Sequence, residues 1–189
     1  MAERKRKRKK KQGPKCIQRW INRIMYLVQN YVEQRAKSVN STTPFDENHP
    51  IEITLRDQYN LSVQKVGFHN EMTFLLNTTF NELIRQPLDV YGRSAQFERC
   101  LHALIVMSYP LIPHLAAEFF AAFKLAESIN KVYTDDDSNI WDQKWPEIDD
   151  DAKVKLVFVD QDNEFIDYCS IERNQIDKLT PDEAYDLAK

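Results

Sequence analysis

The sequence predicts a mainly helical protein, an antiparallel helical bundle followed by a small truncated α/β appendage, and three observations carry that expectation. Only 3 glycines occur in 189 residues, too few for the tight turns of sandwiches, barrels and propellers. Apolar side chains recur at three- and four-residue steps through successive stretches between Ile17 and Phe123, the period of helices with one dry face. Beyond Tyr133 that period gives way to acidic clusters and short alternating runs. With 42% apolar residues the chain has the material for one core of ordinary domain size.

Residues 1–14 hold eight consecutive basic side chains, Arg4 to Lys11, and no large apolar group after Met1. Such a run cannot enter a core and is expected to be a disordered arm: a solvated tail, an import-like address, or an arm that touches phosphates. From Lys15 to Ser38, Ile17, Trp20, Ile21, Ile24, Leu27, Val28, Tyr31 and Val32 form a dry stripe, with Lys15, Arg19, Arg23, Asn30 and Gln34 opposite it and Arg35 and Lys37 near the C-terminus, where they complement the helix dipole. A turn-rich loop then leads to Pro50, suited to the first turn of a second helix. That helix continues through Leu55, Tyr59, Val63 and Val66, although the alternation Ile51, Ile53, Leu55 also permits a strand. Gly67 is expected to break or bend the chain before a third stripe, Phe68 to Leu83, closed by Pro87. A fourth helix over 93–108 ends at Tyr109-Pro110. The fifth runs through Leu111, Ile112, Leu115, Ala116, Phe119, Phe120 and Phe123, with Pro113 in its first turn. The bundle thus occupies 15–133.

Residues 134–152 read as an acidic linker in which Trp141 and Trp145 serve as packing anchors. Residues 153–189 read as a partial α/β domain. Val154 to Phe158 and Phe165 to Tyr168 are two strands around a DQDNE turn, and Thr180-Pro181-Asp182-Glu183 caps a helix in which the sequence stops.

Charge is segregated along this plan. Residues 1–37 carry 13 basic and 2 acidic groups, whereas 134–189 carry 6 and 17, so an overall charge of −3 does not exclude a polyanionic partner. The three cysteines, Cys16, Cys100 and Cys169, form neither a disulfide framework nor a CxxC knuckle, which points to a reducing compartment. No apolar run of membrane-spanning length occurs, and the N-terminus has neither a signal peptide nor the Ser-rich amphipathic pattern of a mitochondrial transit peptide. Phosphate-cradling, nucleophile-elbow and HExxH patterns are missing. The expectation is a soluble chain that does not engage a membrane.

Four local segments resemble class I aminoacyl-tRNA synthetases, specifically leucyl-tRNA synthetases of the bacterial and mitochondrial type. Trp20 to Arg35 resembles the first helix of the tRNA-binding bundle. Val63-Gln64-Lys65-Val66 with Leu76 to Ile84 resembles two of its later helices. Arg99 to Phe120, RCLHALIVMSYPLIPHLAAEFF, matches the family's proline-histidine segment at Pro110, Pro113, His114 and Glu118. Trp145 to Asp149 is similar to the WPxxD that closes the bundle. The likeness covers about 16–150. It implies a bundle of the anticodon-binding-domain type and leucine tRNA as partner. It also implies protein biosynthesis in the mitochondrial matrix, although the lysine-rich N-terminus leaves cytoplasmic or nuclear residence open. The HIGH and KMSKS signatures are absent, so this chain alone is expected to be inactive. ATP, the intact enzyme's cofactor, would be bound by a class I catalytic domain in cis if the chain is a fragment. The alternative is a non-catalytic helical scaffold or interaction protein derived from a synthetase. At 160–164, DQDNE stands where the family has VNGK, which removes a basic residue.

No catalytic, metal or cofactor residue is expected. His114 and Glu118 share a helix face but are two ligands only, short of a zinc site; His114 reads as packed in the bundle and hydrogen-bonded, and His49, His69 and His102 as structural or surface groups. The resemblance implies that Asn77 is a buried amide tying two helices together, and Trp20 reads as a packing anchor. The tRNA-binding candidates are Arg19, Arg23, Arg35 and Lys37 on the first helix, with Arg85 and Arg93 flanking the Pro87 turn, because tRNA stems are recognised largely through phosphate and shape. Leu111, Leu115 and Phe119 are expected to be dry, and Arg19 and Arg23 to face outward.

Overall fold

The computed structural model describes residues 2–38, 43–68, 81, 83–129, 139–159, 165–176 and 178–180. They are mainly helical and divide into two compact units, Met1–Pro146 and Glu147–Lys189; the division falls inside the segment read as an acidic linker. Asn77, His69, the DQDNE turn and the Pro181 helix start lie outside the described residues.

The first unit is organised on α1 (Ala2–Ser38). Its helical backbone includes residues that the sequence pattern assigns to a basic arm over 1–14. Trp20, Ile24, Leu27, Val28 and Tyr31 are buried along one stripe. The second helix, α2 (Pro50–Phe68), takes Pro50 in its first turn, and the Ile51 amide donates to His49 Nδ1 at 3.3 Å. Its dry residues Leu55, Tyr59 and Val63 keep the four-residue step, which leaves Ile53 exposed and disposes of the strand reading. The helix passes through Gly67 without ending there.

Two helices occupy 88–108, where the sequence pattern places one over 93–108. They are α3 (Leu88–Arg93) and α4 (Ala95–Ser108), separated by Ser94, whose Oγ accepts from the Phe97 amide at 2.9 Å as an N-cap. Glu52 of α2, itself buried, adds its carboxylate, which accepts from the Gln96 amide at 2.9 Å, so negative charge sits on the positive end of the α4 dipole. From Cys100 to Ser108 every residue of α4 is buried, as for a helix enclosed on all sides. Burial pushes the Cys100 thiol up to about 12, which keeps it inert at neutral pH. The wholly buried Glu98 accepts from Ser128 Oγ and, at 2.8 Å, from the Ile129 amide, so its charge is hydrogen-bonded where it would otherwise be costly.

The α5 helix (Pro113–Phe123) buries Ala116, Phe119, Phe120 and Phe123. Two expectations fail here. Leu111 and Leu115 are 43% and 37% exposed: the four aromatic-rich positions fix the helix phase, Leu115 lies about 90° from their centre, and Leu111 belongs to the turn before the helix. His114 is exposed as well, not packed in the interior. Tyr31 links the unit, stacking on Phe97 at 6.4 Å and Phe123 at 5.1 Å, while Phe97 stacks on Tyr91 at 4.2 Å. This aromatic cluster joins α1, α3, α4 and α5 at the centre of the core.

A 3-10 turn at Ile140–Asp142, closed by a capping box between Asn139 and Asp142, buries Ile140. Trp141 and Trp145 are 61% and 42% exposed and are not the expected anchors. Ile140 takes that part, because adjacent residues in such a turn point about 120° apart.

His102 of α4 lies 5.9 Å from both the Phe120 and Phe123 rings and within 3.3 Å of Gln143 Oε1. Burial lowers its pKa from 6.5 to about 4, against the raising effect of the Gln143 bond. The neutral ring is therefore the one the fold holds. An unfolded chain takes up a proton as pH falls below 6.5 while the folded one does not until about 4, so this histidine's stabilisation is complete above that window and is lost across it. The expected loss is about 1.4 kcal/mol per pH unit. Urea unfolding at pH 7 and pH 4.5 checks this, because His102→Gln should narrow the stability difference between the two pH values.

In the second unit β1 (Lys153–Val159) pairs antiparallel with β2 (Phe165–Glu172), Lys153 opposite Glu172 and Val157 opposite Tyr168, with a register shift between Phe158 and Val159. The short α6 (Arg173–Ile176) follows directly. Arg173 Nη1 donates to the Ile148 carbonyl at 2.8 Å, tying the end of β2 to the segment that precedes β1.

Candidate nucleic-acid interface

The six basic candidates separate into two groups along α1. Arg19 and Arg23 are exposed on a flank of the dry stripe of Trp20, Ile24 and Leu27, where the helical period puts residues four apart above one another. Arg23 Nη1 donates to Asn81 Oδ1 at 3.3 Å, so the helical segment containing 81 and 83–85 runs beside this face. Arg85, one turn beyond Asn81, is exposed. Lys37 is exposed in the last turn of α1.

Arg35 does not belong to this surface. It is 8% exposed, with Nε donating to the Glu127 carbonyl at 2.7 Å and Nη1 to the Gly92 carbonyl at 3.2 Å. Its place is set by the stripe itself, since Tyr31 and Arg35 are one step of four apart, and the guanidinium is spent on main-chain acceptors that a phosphate would have to displace. Arg93 is half-buried; it lies over the Phe45 ring at 4.2 Å and donates to the Thr43 carbonyl at 3.0 Å. Both arginines hold loops against helices.

The structure adds Tyr26, which the sequence reading passed over. Arg19, Arg23, Tyr26 and Asn30 fall within about 60° of arc on an α-helix. Tyr26 is 47% exposed, and Asn30 Nδ2 donates to its carbonyl at 2.7 Å. Beside them Gln18 Nε2 donates to Asn22 Oδ1 at 2.9 Å. The available signal was negative: Tyr26 is the aromatic of α1 that falls off the dry stripe. Two guanidinium groups, an aromatic ring and flanking amides on one stripe can pair with phosphate oxygens and stack on a base or sugar.

Among the described residues no three His, Cys, Asp or Glu side chains come together to hold a metal, and no helix is long and apolar enough to cross a membrane.

Known proteins with detectable likeness to this chain include the leucine–tRNA ligase of Trichormus variabilis, 28% identical over 140 residues, 72% of this chain and 14% of that protein. The probable mitochondrial leucine–tRNA ligase of Pongo abelii is 26% identical over 142 residues, 70% of this chain and 16% of its own length. The leucine–tRNA ligase of Shewanella loihica is 26% identical over 151 residues, 75% and 16%. The chain carries a leucine–tRNA-ligase-like region. It spans only 14% to 16% of the length of these relatives. No family model matches it.

Proposed function

We propose that the leucine–tRNA-ligase-like region is a tRNA-holding bundle of the anticodon-binding-domain type, from a mitochondrial leucine–tRNA ligase or a protein derived from one. The observation that supports this most is the likeness to leucine–tRNA ligases over 70% to 75% of the chain, joined to an exposed face of α1 carrying Arg19, Arg23 and Tyr26 with Arg85 nearby. The proposed role is mechanical. Guanidinium groups grip the phosphates of leucine tRNA and release condensed cations, the rigid aromatic core under α1 fixes their spacing, and the acceptor end is thereby directed to a catalytic domain that binds ATP and leucine outside this sequence. The chain by itself activates no amino acid.

Binding of a labelled leucine tRNA transcript to the full chain tests this reading. Arg19→Gln with Arg23→Gln should weaken binding about tenfold at 0.1 M salt and lower the magnitude of the log-log salt slope by about 1.5 to 2, with unchanged thermal stability. Equal affinity of the parent chain for tRNA and for an inert acidic polymer would reject specific docking.

The second reading, a non-catalytic scaffold for protein partners, is favoured by the exposure of Trp141, Trp145, Leu111 and Leu115. Recovery of protein partners with no tRNA by the full chain would decide for it.

A further inference from the structure

Burial singles out one open side of the packed part of α1. Arg19, Arg23 and Tyr26 are exposed there within about 60° of arc, while Trp20, Ile24, Leu27 and Tyr31 anchor the same turns in the core. Arg23 and Tyr26 also border a second element. Arg23 donates to Asn81. Tyr26 lies close enough to Tyr91 to add to the effect of burial on that phenol, whose pKa is pushed up to about 12. The Tyr91 hydroxyl donates to the Leu83 carbonyl at 3.2 Å, so the segment of Asn81, Leu83 and Arg85 runs beside both side chains, with Arg85 exposed at its edge. Tyr26 is 47% exposed, and among the described residues no other ring packs on it.

We infer that Tyr26 is a stacking platform for one unpaired RNA base, the site taking a loop or stem-end nucleotide whose neighbouring phosphates pair with Arg19 and Arg23. The inference rests on the tRNA-holding reading and deepens it, since it names the form of RNA that this face accepts. Three considerations favour an unpaired nucleotide over a continuous stem. Bases inside an A-form stem are already stacked and paired, so an aromatic ring gains nothing from them, whereas bases in loops, bulges and ends offer an open face. The cationic stretch is also short. Arg19 and Arg23 stand about 6 Å apart along the axis, with Tyr26 about 4.5 Å further on, the reach of a nucleotide or two. The exposed Glu33 lies two turns beyond Tyr26 on nearly the same line, where a stem backbone laid along α1 would meet a carboxylate. Finally, the ring is preorganised. A tyrosine has few rotamers to lose on binding, and the helix that carries it is held by its buried stripe.

The test uses the full chain with an RNA hairpin carrying a fluorescent purine analogue in its loop, a blunt RNA duplex with the same number of phosphates, and a leucine tRNA transcript. The parent chain should bind the hairpin at least about tenfold more tightly than the duplex and should quench the analogue. Tyr26→Ala should weaken hairpin and tRNA binding about tenfold and abolish the quenching. It should leave duplex binding and the salt slope unchanged, because no phosphate contact is lost. Tyr26→Leu should behave as Tyr26→Ala does, while Tyr26→Phe should stay within about twofold of the parent, since the ring does the stacking. If Tyr26→Ala melts at a lower temperature, the leucine and phenylalanine variants still separate apolar bulk from an aromatic ring. Equal affinity of the parent for hairpin and duplex, or equal losses in Tyr26→Leu and Tyr26→Phe, would overturn the stacking role. Unchanged hairpin and tRNA binding by Tyr26→Ala, while the Arg19 and Arg23 substitutions still weaken tRNA binding, would overturn it and leave the tRNA-holding reading intact. Absence of any RNA binding by the parent chain removes both.

Discussion

Gly92→Ala is expected to cost the first unit about 2 to 3 kcal/mol of stability and to lower its melting temperature by about 5 to 10 °C. Gly92 lies where α3 crosses the end of α1. A methyl group built there would meet Ser38 Oγ and would stand 2.6 Å from the Gln34 carbonyl oxygen and 2.9 Å from its carbonyl carbon. The serine hydroxyl can rotate away, but the Gln34 atoms are main chain inside a helix and cannot move without displacing α1. Thermal and urea unfolding measure the effect, and the double variant Ser38→Ala, Gly92→Ala separates its causes. Partial recovery at most is expected, since the main-chain contact persists. Full recovery would show that only the hydroxyl stood in the way.

Arg35→Met should be at least as damaging, with a loss of about 3 to 5 kcal/mol. The methionine keeps an apolar stem of similar length but leaves the Glu127 and Gly92 carbonyls without their donors, each such bond from a charged group contributing about 1.5 to 3 kcal/mol. Arg35→Lys keeps the charge yet lacks the fork that reaches two acceptors at once, so it should recover part of the loss only. The result also decides what Arg35 is for. A variant of unchanged stability that binds RNA poorly would return Arg35 to the interface; a destabilised one confirms that α1, α3 and the segment after α5 are joined through this guanidinium.

The contrast between Arg35 and Arg19 shows where the sequence was legible. Both are basic residues of an amphipathic helix, and the three-to-four period located the dry stripe of α1 well enough to put Arg19 and Arg23 outside it. Arg35 was read as surface because a guanidinium is usually solvated; nothing local announces that Glu127 and Gly92, distant in sequence, supply two carbonyl groups. The same holds for Glu98, whose partners are 30 and 31 residues away. The hairpin of the second unit was readable from alternation alone, since pairing neighbours in sequence needs no distant information. Leu115, Trp141 and Trp145 misled for the opposite reason. Large apolar residues favour the interior on average, but the phase of a short helix or turn is decided by its best-packed members, here Phe119, Phe120 and Ile140, and the remainder follow wherever the rotation leaves them.

Because one rod both fills the core and bears the exposed cations, rotation couples the two. An extra residue between Arg19 and Trp20 would swing Arg19 by about 100° while Trp20 to Tyr31 kept their seats, separating it from Arg23. Added after Ile24, the same residue would twist Leu27 and Tyr31 out of register and dismantle the aromatic hub. The chain can therefore tolerate a change of length at its front only by sacrificing alignment, and further along it cannot tolerate one at all.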